Sequence, residues 1–174
     1  MTQDAGVELT AQGQAAQFVA GWLFVFREAV EGGVPGQGTA FLDGTKADGS
    51  GNNGLLGTLA RFTAAQASDP GALGISVAAH AAHMAYHLEV LLRWEAGERG
   101  PFDWPGSFQP AVVDADAWAA LQARVRAAYD AVVAWSGAHT DWSEDAAGGL
   151  AGALAHVAYH LGAVRQALKQ LPGT

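Results

Sequence analysis

Cysteine is absent from the 174 residues. No disulfide, thiolate zinc site, iron–sulfur cluster or cysteine nucleophile is available, so any transition-metal site must use imidazole and oxygen ligands. Basic side chains are scarce, nine against seventeen acidic, and the formal charge of −8 would repel a phosphate backbone. Nucleic acid is therefore disfavoured as a partner. A bilayer-spanning run is missing too. The most apolar stretch, Ala15 to Phe26, is interrupted by Gln17 and ends at Arg27-Glu28, too short and too patterned to cross a membrane. The start, Met1-Thr2-Gln3-Asp4-Ala5-Gly6-Val7-Glu8, lacks the basic opening and apolar run of a secretory signal, which makes a cytoplasmic protein the default expectation. No alternating β pattern competes with helical periodicity, and the length fits a single domain over residues 1–174.

What the chain does have is histidine, concentrated in two helical segments. His80, His83 and His87 lie in one and His156 and His160 in the other, five of the six in the sequence. Histidine is the commonest ligand for zinc, copper, iron and nickel, and residues four apart on a helix stand one above the other on one face. His156 and His160 thus form a two-point clamp, and a third imidazole from a facing helix would leave a cation with an open position.

The first helix is expected from about Leu9 to Val30, with Phe18, Trp22, Val25, Phe26 and Val30 at helical spacing. Gly32-Gly33-Val34-Pro35 ends it. Residues up to Asn53 are rich in Gly, Asp and Asn and read as a long surface loop too polar to pack a core. That loop lacks the Lys-Ser/Thr ending of a phosphate loop. Gly54 to Ala67 reads as a shorter helix. Ser76 is placed to cap a helix continuing to about Glu95, along which Val77, Met84, Leu88 and Leu91 form an apolar stripe and His80, His83, His87, Val90 and Trp94 a second one beside it. Arg99 to Val113 holds Pro101, Pro105 and Pro110 and reads as a crossover connection. Asp114 caps the next helix, whose seam is Trp118, Leu121, Val125, Ala128, Val132 and Trp135, and Gly137 to Trp142 is a turn. The last helix, about Ser143 to Leu171, has the strongest period, and its histidines are bracketed by Ala153, Ala163 and Ala167, which leaves room above the imidazoles. The expected fold is all-α, four main helices and a short one.

The residues His156-x-x-x-His160-Leu-Gly-x-x-Arg165-Gln166 resemble the terminal signature of the DinB/YfiT-like superfamily of four-helix-bundle metalloproteins. The blocks from Gly54 to Ala60, Ser76 to Met84 and Arg93 to Glu98 resemble one branch of it, and the likeness runs from about Gly54 to the C-terminus. The resemblance implies a four-helix bundle with a long crossover, and a divalent metal, zinc or nickel, held by one histidine of the second main helix and the two of the terminal motif. His83 best fits the first ligand position, since an apolar residue follows it and it lies about four turns before Gly97. His87 is the alternative and His80 the outsider. Three histidines stand where the motif needs one; were His83 and His87 both to join His156 and His160, four imidazoles would close the site. Otherwise the extra histidines belong behind the ligands or at the pocket mouth.

A metal-dependent, thiol-linked transferase or hydrolase, taking a small-molecule substrate and a low-molecular-weight thiol, is the function the resemblance implies. The rival expectations are a non-catalytic metal- or ligand-binding bundle of stress-response type, and a helical interaction module with incidental histidines. Val157 stands where the HExxH motif places its general-base glutamate, so peptidase chemistry is disfavoured. Glu89, Glu95 and Asp103 are the nearest acids to the first cluster and read as solvated. Arg165 either aims at an anion in the pocket or has a local structural role, and the resemblance favours the second. His139 reads as a surface residue, while Trp94, Trp104 and Phe108 are candidates to wall the pocket. The abundance of Trp and Phe points to a homodimer formed through a helix face that the sequence does not locate.

Overall fold

A computed structural model describes residues 10–37, 39–42, 45–48 and 50–171. Among the described residues every regular element is helical and no strand occurs. The helices are α1 (Ala11–Glu31), α2 (Leu55–Leu59), α3 (Ala64–Ser68), α4 (Val77–Glu95), α5 (Ala115–Ala138) and α6 (Glu144–Lys169), with single 3-10 turns at Gly71–Leu73 and Gly106–Phe108. None of them is long and apolar enough to cross a membrane.

Each long helix begins on a side-chain cap. Thr10, Ser76, Asp114 and Ser143 accept from the backbone N–H three residues on, at 3.2, 3.1, 2.8 and 3.1 Å, supplying an acceptor to one of the four amides that a helix start leaves unpaired. Ser76 and Asp114 act as the sequence leads one to expect. The expected single helix over Gly54 to Ala67 is instead two short ones. Thr63 and Gln66 form a reciprocal capping box that starts α3 afresh. The break leaves the Phe62 carbonyl free to accept from the Trp118 indole N–H at 2.9 Å.

α4 is the central element, packed against both α5 and α6, and α1 closes against α6 and α5. Val77, Met84, Leu88 and Leu91 are buried as expected, but so are Ala78, Ala79, Ala81, Ala82 and Ala85. A helix enclosed on nearly every side must present apolar groups all round, and here they are methyl groups that let its neighbours approach closely. In α1, Trp22, Phe26 and Val30 enter the core, whereas Phe18, on the same expected stripe, is 59 % exposed. Trp22 donates its indole N–H to the Leu150 carbonyl at 2.9 Å, tying α1 to α6.

The loop after α1 departs from expectation. Its described residues form no regular element, yet Leu42 is buried within the hydrophobic core and Thr45 is buried as well. The cause lies in α1. Glu28 is buried, and its carboxylate accepts from the backbone N–H groups of Ala40 and Phe41 at 2.9 Å and from that of Leu42. Burial pushes this carboxyl up, but the amides of Leu42, Ala40 and Phe41 outweigh it and hold the group below its ordinary value. The return of the chain is just as tight: Gly54 packs on the end of α1, where a Cβ would stand 2.2 Å from the Gly32 nitrogen.

Removing the Glu28 carboxylate strands three amides. Glu28→Ala is expected to lower the unfolding free energy by about 2–3 kcal/mol, and Glu28→Gln by less, in urea denaturation. Because the folded pKa is depressed, the clasp stabilises above the unfolded glutamate pKa and is lost as pH falls through the folded value.

Candidate metal centre

α4 and α6 run antiparallel, and their register decides which histidines meet. His80 faces His160, His83 faces His156, and Leu91 reaches Gly149, so residue numbers fall along α6 as they rise along α4. With three- and four-residue spacings on α4 and a four-residue spacing on α6, all five imidazoles fall in one band between the two helices. His80 and His160 are buried and the other three half-buried.

Within that band the Nε2 atoms of three rings converge. His156 Nε2 stands 3.1 Å from His83 Nε2 and 3.2 Å from His160 Nε2, and ligand atoms of these three residues all lie within 4.8 Å of one another. Two nitrogens bound at 2.0–2.1 Å to one tetrahedral ion are about 3.3 Å apart. Those two separations suit neighbouring ligands of a single cation, with the His83–His160 pair inside the 4.8 Å limit.

The opposite edges of the rings explain the orientation. Ser107 Oγ, in the 3-10 turn, gives its only proton to the Trp104 carbonyl and lies 2.6 Å from His83 Nδ1. His83 must then carry its proton on Nδ1 and donate to Ser107, which leaves Nε2 bare toward the centre. The turn is itself fixed by Asp103, whose carboxylate accepts from the Gly106 N–H at 2.9 Å. A Cβ at 106 would stand 2.1 Å from Asp103 Oδ2 and push that carboxylate off the Gly106 N–H. His160 places Nδ1 2.8 Å from His80 Nδ1. A proton held between those two atoms by His160 frees its Nε2 likewise, so His80 orients a ligand from behind. His156 has no such partner, and its buried Nδ1 is unpaired; its ring is held by stacking on His87, with centroids 3.9 Å apart and planes at 12°.

That stack also bears on the His87 alternative. A ring's lone pairs lie in its own plane, and two stacked, nearly parallel planes share no point close to both rings. His156 and His87 as placed cannot both aim at one ion, and the four-imidazole arrangement finds no support. Phe108 stacks on His83 at 3.9 Å, and Trp104 meets His83 and His87 at 6.2 and 5.9 Å. These two aromatics wall the site, and Trp94 lines the adjoining cleft. The segment between α4 and α5 thus serves as a lateral cover, anchored by Ser76 Oγ donating to the Ala111 carbonyl at 2.6 Å and by Ser68 at Val113.

The remaining candidates take structural places. Glu89 pairs with Arg124 through two hydrogen bonds at 2.8 and 2.7 Å. Asp103 holds the 3-10 turn, and no described contact ties Arg165 to the cluster or to an acid. His139, expected at the surface, is half-buried, packed against Trp135 and Trp142, with Nε2 2.7 Å from the Asp141 carbonyl oxygen. Ser107 carried no signal in the sequence, being one serine in a proline-rich connection.

Burial holds all five clustered histidines below their ordinary pKa, and neighbouring imidazoles add to it for all but His83. His156 is lowered to about 3 and His160 to about 4. They are neutral near pH 7, as ligation requires. Comparison with family models, with curated proteins and with solved structures finds no match to this chain. The fold and the site by themselves define an all-helical protein with a three-histidine group that could hold a metal ion.

The unfolded chain takes up protons on these histidines near pH 6.5, whereas the folded metal-free site resists them. Their contribution is intact above the unfolded value and is lost as pH falls toward the folded ones. Thermal melting of metal-free protein is expected to decline already between pH 6.5 and 5, before carboxylates titrate, and His160→Gln to flatten that decline. Ser107→Ala is expected to weaken metal binding about 10–100-fold in a competition assay while leaving the helical circular dichroism unchanged.

Proposed function

We propose that the protein is a metal-binding four-helix bundle of the DinB-like kind, with α1, α4, α5 and α6 as its members and the segment between α4 and α5 as its crossover. One divalent transition metal, zinc or nickel, is held by His83, His156 and His160, with a further position open. The observation that carries this is the convergence of three Nε2 atoms whose opposite edges are, for two of them, occupied by Ser107 and His80. The chain's lack of cysteine and an all-nitrogen donor set suit zinc or nickel better than softer or harder ions.

A metal bound by three imidazoles supplies Lewis acidity and lowers the pKa of a water or thiol placed at its open position. The chain's own contribution is to keep the three ligands neutral, to set two tautomers through Ser107 and His80, and to cover one side with Trp104 and Phe108. Thiol-linked transfer or hydrolysis is the reaction class this serves. One observation favours a second, non-catalytic reading: among the described residues no carboxylate forms an ion pair with any histidine of the cluster, so none is fixed directly against the ligands. A bundle that binds metal for stability or ligand capture has no need of one.

Elemental analysis of untagged protein separates these readings from an incidental cluster. Wild type is expected to carry about one zinc or nickel ion per chain after loading and dialysis. His83→Ala, His156→Ala and His160→Ala lose it, while His87→Ala keeps it. Metal-loaded protein that turns over a thiol conjugation supports the transferase; a raised melting temperature with no turnover supports the binding protein. Absence of metal from wild type after loading contradicts both.

A further inference from the structure

Beside the histidine band, a cleft of about 420 Å³ runs between α4 and α6 toward the C-terminal end of α4. His87 stands at its inner end, next to the ring of His156. Its walls are Trp94, Phe102 and Trp104, and on α6 the floor is Gly149 and Gly152, which bring no side chain. Two carboxylates line it, Glu95 from α4 and Asp145 from α6, and no lysine or arginine does.

Three features make this more than a surface depression. Trp94 and Trp104 are 37 % and 39 % exposed, large apolar faces left in water at the mouth of a cavity that adjoins a histidine cluster. Neither Glu95 nor Asp145 has an ion-pair or hydrogen-bond partner among the described residues, although the chain's other acids near α4, Glu89 and Glu98, are both paired with arginines. The aromatic rings here also take cations on their faces: Arg99 lies over Trp94 at 4.2 Å and Arg93 over Phe102 at 4.9 Å. Those arginines sit outside the cleft, with Arg93 held by Glu98 and Arg99 by the Trp94 and Glu98 carbonyls. The helix ends do not decide the sign, since the negative end of α4 and the positive end of α6 meet there. The carboxylates and the ring faces that the two arginines leave open do, and both favour positive charge.

We propose that this cleft binds an organic ammonium ion, an amine carried on a flat apolar body. The body lies against Trp94, Phe102 and Trp104, the ammonium group meets Glu95 and Asp145, and the far end points past His87 toward the three-histidine centre. The inference deepens the proposed function and rests on it only in making the cleft the approach to the metal.

The test is calorimetric titration of the zinc-loaded full chain with three probes of similar shape: 2-phenylethylamine, 2-phenylethanol and 3-phenylpropionate. The amine is expected to bind about tenfold or more tightly than the alcohol, with the carboxylate weakest, and to change tryptophan fluorescence. Glu95→Gln with Asp145→Asn, both conservative and exposed enough to leave folding intact, is expected to bring the amine down to the affinity of the alcohol while leaving the alcohol unchanged. Equal binding of amine and alcohol, preference for the carboxylate, no binding of any probe up to tens of millimolar, or an amine preference that survives the double substitution would each overturn the proposal. Zinc content measured on the same samples keeps the two readings apart. Amine preference in protein that fails to hold zinc upholds the cleft and sinks the metal centre, whereas zinc bound without amine preference does the reverse.

Discussion

The structure turns on three imidazole Nε2 atoms brought together between α4 and α6 in a partly buried site. Nitrogens 3.1 and 3.2 Å apart need a proton or a cation between them, and a neutral His156 has at most one Nε2 proton to offer its two neighbours. Protonation is opposed by burial, which lowers His156 and His160 to about 3 and 4. One metal ion could satisfy all three at once. The same desolvation that disfavours charging the cluster keeps its imidazoles neutral, the form in which they could hold a metal ion.

Much of the chain serves to hold that arrangement. α4 can lie at the centre because its buried positions between the histidines are mostly alanine, and α6 can approach it at Gly149, where a Cβ would stand 2.7 Å from Leu91 Cδ1. The antiparallel register places His83 between His156 and His160 on one side and the 3-10 turn on the other. That turn exists because Asp103 caps it and glycine occupies 106. Far from the site, the capping serines and threonines and the Glu28 clasp fix where helices begin and where the loop after α1 returns to the core.

Helix identity was legible where capping and periodicity agree: Ser76 before α4, Asp114 before α5 and the leucine repeat of α6 each mark an element that is found. The break between α2 and α3 was not, because apolar spacing continues through it and only the Thr63–Gln66 pair signals a new start. Leu42 was missed for a different reason. Its burial depends on a glutamate fourteen residues earlier, and no local pattern encodes a carboxylate that gathers backbone amides. The candidate ligands were legible as a set, since the histidine spacings put one stripe on each of two helices, which form a single band when the helices face each other. Choosing among His80, His83 and His87 needed the register of α6 and the ring planes: one ring aims at the centre, one supports His160 from behind, and one stacks flat on His156.

The most direct measurement is anomalous diffraction at the metal edge from crystals of zinc- or nickel-loaded protein. The account predicts a single strong peak about 2.0–2.1 Å from Nε2 of His83, His156 and His160, with non-protein density at the open position and His87 outside the coordination sphere. A peak on the surface carboxylates, or one bonded to His87 in place of His83, would contradict it.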